Sequence, residues 1–209
     1  MDAKVQQIIA QVSPLLMRYG VKSLTMDDIA KHLGISKKTL YQVVSDKADL
    51  VEKAIMLYME FEMASMTAIH QKSKNAIEEL IEISGHMNQH LTQMHPSILF
   101  DLEKYYPASF KRFENYKVEC VLTHVQRNLQ DGIDQDLYRD NLNIPIVARL
   151  YVARIDSLFD PKVFPSDEFN LKTVFLEHIR YHIRGVASEK GVAYLKERFK
   201  QHDNDTPIF

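Results

Sequence analysis

Tryptophan is absent from the 209 residues, and cysteine occurs once, at Cys120. A single cysteine excludes an internal disulfide, which suits a reducing compartment, and a lone thiol of this kind is ordinarily a small buried side chain. Glycine occurs only 6 times and is nowhere clustered as a phosphate-cradling loop requires. No apolar run approaches the roughly 20 residues that a membrane-spanning helix needs. The first residues include Asp2 and Lys4 and no long apolar stretch, so no secretory signal is read there. These absences predict a soluble, cytoplasmic protein. The net charge is only -2, so overall charge does not single out an anionic partner. No segment alternates apolar and polar residues as a half-buried strand would, and no short-period repeat or low-complexity tract interrupts the chain.

What is present is ordinary globular material, 45% hydrophobic and 26% charged, with apolar residues at helical spacing almost throughout. The pattern predicts an all-α fold of about nine or ten helices. Charge is unevenly spread: residues 1–50 carry seven Lys or Arg against five Asp or Glu, and the remainder is net acidic. A mildly basic head on an acidic body is the sign expected of a small DNA-binding module.

The informative stretch runs from Thr25 to Lys47. Thr25 with Asp28 three residues on is a helix-start signature, and Asp27 and Asp28 lie where a helix dipole favours negative charge. Met26, Ile29, Ala30 and Leu33 give that helix one apolar face, and Gly34 ends it. Ser36 then caps a second helix that buries Leu40 and Val43 and turns Lys37, Lys38, Thr39, Tyr41 and Gln42 outward. Lysines neutralise phosphates, hydroxyls bond phosphate oxygens, and glutamine can pair two-pronged with adenine. The stretch reads as a helix-turn-helix whose second helix enters the major groove. On spacing alone, an ordinary helical hairpin with a solvated basic face is an equal alternative.

Leu24-Thr25-Met26-Asp27-Asp28-Ile29-Ala30, Gly34-Ile35-Ser36-Lys37-Lys38-Thr39-Leu40-Tyr41 and Asp46-Lys47-Ala48-Asp49-Leu50 together resemble the N-terminal signature of TetR-type (tetracycline-repressor-like) regulators. The resemblance covers about a quarter of the chain. It implies a three-helix DNA-binding head over 1–48 and a helical ligand-binding and dimerisation domain over 49–209. It further implies a homodimer on a palindromic operator, usually a repressor released by a small molecule. By the same resemblance Lys47 binds phosphate, Ser36 touches it, and Thr25 reaches the backbone besides capping its helix. The family commonly carries aromatic or His residues just after the Leu-Tyr pair; here Gln42 and Val43 stand there.

The rest of the chain continues the helical pattern. The first helix, 2–19, has Pro14 inside it, where a kink is expected. A long connector runs from Asp46 to about Ile69. Pro96 opens a short helix, a long one follows from Ala108, and helices over 144–158 and 171–187 carry stripes suited to dimer contact. Met56, Met59, Met63 and Met66 recur along the connector, and Phe110, Phe113, Tyr116 and Tyr151 enrich the body in aromatics. Core packing accounts for such stripes; an adaptable ligand pocket using Met59, Met63, Phe110, Phe113, Tyr116 and Tyr151 is the functional alternative. His86 with His90, and His178 with His182, are spaced to share a metal on one helix, but no third ligand accompanies either pair, so no metal site and no cofactor are assigned. No nucleophile or acid–base constellation is found, so no enzymatic activity is expected; a helical ligand carrier or enzyme whose N-terminal helices are an interaction module is the alternative class.

Overall fold

A computed structural model describes residues 3–95 and 97–200. The expectations for Pro96 and for a loose tail over 203–209 lie outside the described residues. Ten helices follow in order: α1 (Ala3–Tyr19), α2 (Met26–His32), α3 (Lys37–Tyr41), α4 (Lys47–Lys72), α5 (Ala76–Gln93), α6 (Ile98–Tyr105), α7 (Pro107–Asp134), α8 (Ile144–Leu158), α9 (Leu171–Val186) and α10 (Glu189–Lys200). The fold is all-α. Among the described residues the extended backbone makes one isolated antiparallel bridge, Tyr138 to Ala187.

The chain forms two compact units, one from Met1–Ser65 with Gln93–Lys117 and one from Met66–Thr92 with Val118–Phe209. Helices α4 and α7 contribute to both. The first unit therefore gathers α6 and the start of α7 onto the N-terminal helices, a grouping that sequence order does not reveal.

In the first unit, α1 turns Ile9, Val12 and Leu16 inward against Ile29, Leu40, Leu50, Val51 and Ile55, with Ile98 and Leu102 of α6 in the same core. The buried Ser13 hydroxyl donates to the Ala54 carbonyl at 3.2 Å, which ties α1 to α4 beside Pro14. Gly20 and Gly34 end α1 and α2 at φ of +82° and +64°, a region that disfavours side chains with a Cβ. The backbone N–H of His95 donates to the Met17 carbonyl at 2.7 Å, joining the segment before α6 to the last turn of α1.

In the second unit, α5 starts where Asn75 Oδ1 accepts from the N–H groups of Ile77 and Glu78. Asn128 of α7 holds α5 through the Ala76 carbonyl, and the buried Tyr138 hydroxyl donates to Asn128 Oδ1 at 3.0 Å. The ring of Tyr138 lies where a side chain on Gly132 would have to be, so the glycine near the end of α7 is a packing requirement. Helix α10 is latched by Glu78, which accepts from the Tyr194 hydroxyl and from Arg198 Nε, both at 2.8 Å. Ile179 and Ile183 fill the core, and His178 and His182 are buried beside them on α9.

That histidine pair makes the second unit acid-sensitive. Both rings pack on Tyr151, at centroid distances of 4.7 and 4.6 Å, and neither Nε2 has a hydrogen-bond partner among the described residues. Burial, with Arg154 nearby, holds His178 down to about 4; burial, then His178 and Arg154, holds His182 down to about 3. A free histidine titrates near 6.5, so below that pH the unfolded chain takes up protons that the folded one refuses. The stability held by the neutral pair is complete above pH ~6.5 and is lost as pH falls toward the folded values, on the order of 1.4 kcal/mol per pH unit per histidine. H182L is expected to flatten the acid limb of melting temperature against pH, measured by circular dichroism; an unchanged slope would show that other groups set it.

Candidate nucleic-acid interface

Helix α2 begins with a reciprocal cap. The Asp28 N–H donates to Thr25 Oγ1 at 3.2 Å, and the Thr25 N–H donates to Asp28 Oδ2 at 2.9 Å. The hydrogen bonds from Thr25 hold the exposed Asp28 carboxyl below its usual range. The chain then turns through Gly34, and Ser36 Oγ accepts from the Thr39 N–H at 3.0 Å to start α3. This second helix has only five residues, with Gln42 as its C-cap. Leu40 is fully buried and Val44, just past the helix, nearly so, while Val43 is half-buried against the same core. Asp46 precedes α4, and its Oδ1 accepts from the Asp49 N–H at 2.9 Å.

With its apolar side fixed in this way, α3 leaves a polar face open. Ser36, Lys37, Lys38, Tyr41 and Gln42 are exposed, and Thr39 is half-buried. The Thr39 hydroxyl lies 2.8 Å from that of Ser36, so the two can act on one phosphate oxygen only by breaking that mutual bond. Thr25 is exposed at the head of α2. Lys47, in the first turn of α4, is half-buried, and its Nζ lies 3.5 Å from the Lys22 carbonyl. Desolvation lowers its pKa, with Asp101 and Asp28 opposing the shift.

Two contacts of this face were not foreseen from spacing. Lys37 Nζ pairs with Asp27 Oδ2 at 2.9 Å, which ties the first lysine of α3 back to α2 and raises its pKa. Lys22, in the loop before α2, donates to the Tyr105 hydroxyl of α6 at 2.9 Å and sits over its ring. The first depends on the angle between α2 and α3, which brings the opening turn of α2 back beside Lys37. The second joins residues far apart in sequence and leaves no local signal.

The residues nominated for a ligand fall in different places. Met59 is buried in the first unit's core, with Phe110, Phe113 and Tyr116 half-buried against that core. The Tyr116 hydroxyl donates to the Met59 carbonyl at 2.7 Å. Met63 is exposed. Tyr151 belongs to the second unit, packed on His178 and His182. A groove of about 790 Å3 in the second unit is lined by other residues, among them Tyr138, Arg139, Asp140, Ser188 and Lys196.

Two capped helices about a glycine turn, with the second presenting lysine, hydroxyl and amide groups from a buried apolar side, define a helix-turn-helix DNA-binding protein. Comparison with known proteins agrees. Residues 8–54 match the family described as bacterial regulatory proteins, tetR family, so the N-terminal part of the chain is similar to the DNA-binding segment of such regulators. An uncharacterized HTH-type transcriptional regulator, YvaF of Bacillus subtilis (strain 168), is 24% identical over 187 residues, covering 88% of this chain and 96% of that protein. Among solved structures, a TetR-family regulator from Cytophaga hutchinsonii shares the fold at a TM-score of 0.69 and 15% identity, over 90% of this chain and 96% of that one. The regulator FadR from Bacillus subtilis, in complex with stearoyl-CoA, does so at 0.61 and 17% identity, over 86% and 97%. No helix among the described residues is long and apolar enough to cross a membrane.

The Asp27–Lys37 pair generates a test. Asp27 sets a negative charge beside the reading face and occupies a cation that phosphate would otherwise attract. D27N is expected to tighten binding to any duplex and to steepen the dependence of log affinity on log salt by up to about one unit. Fluorescence anisotropy on random duplex from low to moderate salt measures both, and an unchanged slope would place Lys37 away from phosphate.

Proposed function

We propose that the protein is a homodimeric repressor whose two α3 helices read a palindromic operator and which a small-molecule ligand releases. The observation that carries the DNA part is the polar face of α3, held by Leu40 on the core and flanked by Thr25 and Lys47. Residues 1–48 serve as the DNA-binding domain and 49–209 as the ligand-binding and dimerisation domain of a cytoplasmic regulator. Lys37, Lys38 and Lys47 neutralise phosphates. Thr25, Ser36, Thr39 and Tyr41 hydrogen-bond the backbone, and Gln42 reads a base edge.

Two-fold pairing is supported by apolar side chains that α8 and α9 expose. Ile146 and Leu150 are 56% and 58% exposed on α8, and Tyr181 is 69% exposed on α9, with Arg154 of α8 5.0 Å from the centre of its ring. These exposed apolar side chains on adjacent helices are the surface on which the two copies are proposed to pair. A symmetric dimer lets one palindrome engage two readers. Release by a ligand is supported by the resemblance to tetR-family regulators and by FadR, a regulator of similar fold in complex with stearoyl-CoA. In this chain Met59, Met63, Phe110, Phe113 and Tyr116 are the side chains proposed to meet the effector, with Tyr151 lining the other unit. Release requires that the ligand favour the state that does not bind DNA, and operator must then weaken ligand binding by the same factor.

Selection of bound fragments from genomic DNA, followed by mobility shifts on the enriched sequence, tests the reading. A palindromic consensus with salt-sensitive binding is expected, and no enrichment would overturn it in favour of a carrier without DNA. K47A should weaken all duplexes alike and flatten the salt slope by about one unit. Q42A should lose about 1–3 kcal/mol at particular base positions while leaving random duplex unchanged. L150D is expected to give monomers in sedimentation velocity at micromolar concentration; a dimer retained in L150D and in Y181D would move the interface off α8 and α9.

A further inference from the structure

In the second unit three helices bring together an imidazole and two carboxylates that DNA binding does not use. His70, in the last turn of α4, places Nδ1 3.3 Å from Glu79 Oε2 and 3.9 Å from Asp131 Oδ2. Glu79 opens α5 and Asp131 lies in the last turn of α7. All three ligand atoms lie within 4.8 Å of one another. We propose that His70, Glu79 and Asp131 form a binding site for a divalent first-row transition ion, with Zn2+ as the ion that fits the donor set.

The geometry carries the assignment. Bonds of 2.0–2.2 Å about a tetrahedral Zn2+ set its ligands roughly 3.4 Å apart. The two edges from His70, 3.3 and 3.9 Å, bracket that value, and the Glu79–Asp131 edge lies within 4.8 Å, so closure is a movement of the part-exposed Asp131 carboxylate toward the other two. One imidazole with two carboxylates is a borderline-to-hard donor set, which suits Zn2+ better than a thiolate-seeking ion. His70 and Asp131 are each about a third exposed, leaving a path for the ion and a fourth position for water, whereas Glu79 is buried.

Glu79 is also held from behind. Arg127 donates to its other oxygen, Oε1, at 3.1 Å, and Asn128 Nδ2 donates to Oε2 at 3.0 Å. Oε2 therefore faces the site with one lone pair taken and one free. Asn128 is in turn fixed by the hydroxyl of Tyr138, whose ring packs over Gly132. An outer shell of this kind is what keeps a ligating carboxylate in a single orientation. Arg127 offsets one of the two carboxylate charges, so a divalent ion leaves the cluster at net +1 beside open water. Without an ion, the same Nδ1 can carry a proton and bond Glu79 directly, so the cluster has a competing state as a simple ion pair.

Calorimetric titration of the full chain with ZnCl2 tests the proposal. One saturable site per chain is expected, with H70A and D131N each lowering affinity by at least about tenfold, the loss that removing even an outer partner can bring. D131N is nearly isosteric and its side chain is about a third exposed, so it reports even where H70A unfolds. H32A, at an exposed histidine of α2, is expected to leave binding unchanged. No saturable binding by the unaltered protein, full binding by D131N, or loss in H32A would each overturn the assignment and leave the cluster an ion-pair network. The readout involves no DNA, so it stands or falls apart from the repressor reading.

Discussion

An isolated helix of five residues closes too few hydrogen bonds to persist in water, because nucleation fixes several dihedrals before any bond repays them. Helix α3 therefore exists through its attachments. Ser36 satisfies its first free N–H, and Leu40 is buried among Ile9, Val12, Leu16, Ile29 and Leu50. That burial supplies the order that length cannot. The positions of Lys37, Lys38, Tyr41 and Gln42 relative to Thr25 and Lys47 all follow from it.

Charges near the reading face are arranged with restraint. Lys37 is held by Asp27, Lys22 by Tyr105, and Lys53 by Asp49, which also accepts from the Ser45 N–H at the start of α4. Phosphate must displace Asp27 to reach Lys37, so part of the Coulomb attraction goes into exchanging partners. Exposed pairs of this kind contribute little to folding. Their influence is on how steeply DNA binding responds to salt.

The helices and the motif were legible because each rests on local chemistry. The cap at Thr25, the glycine at 34 and the cap at Ser36 are short-range signals, and the apolar spacing of α4, α8 and α9 is long enough to be unambiguous. Helix ends shifted by a few residues, as at α4, which continues to Lys72 where the sequence suggested about Ile69. What was not legible joins distant segments. Glu79 meets His70, Arg127, Asn128 and Asp131 only once α4, α5 and α7 are in place. Sequence spacing drew attention to the i, i+4 histidines instead, yet one such pair, His178 and His182, is buried on Tyr151. Gly132 carries no sequence signal of its role either, since its lack of a side chain matters only once the Tyr138 ring is packed against it.

The dependence of α3 on a shared core has a genetic meaning. A screen for variants that no longer control their target would return substitutions at Ile9, Val12, Leu16 and Leu50 alongside those on the reading face. None of these four side chains is exposed to meet a nucleotide. Smaller residues there would loosen the seat of Leu40 before the rest of the chain unfolds, and such alleles would be conditional, functional in the cold and lost on warming. Changes to the reading face would fail at every temperature. Heat sensitivity would thus separate residues that support the reader from residues that read.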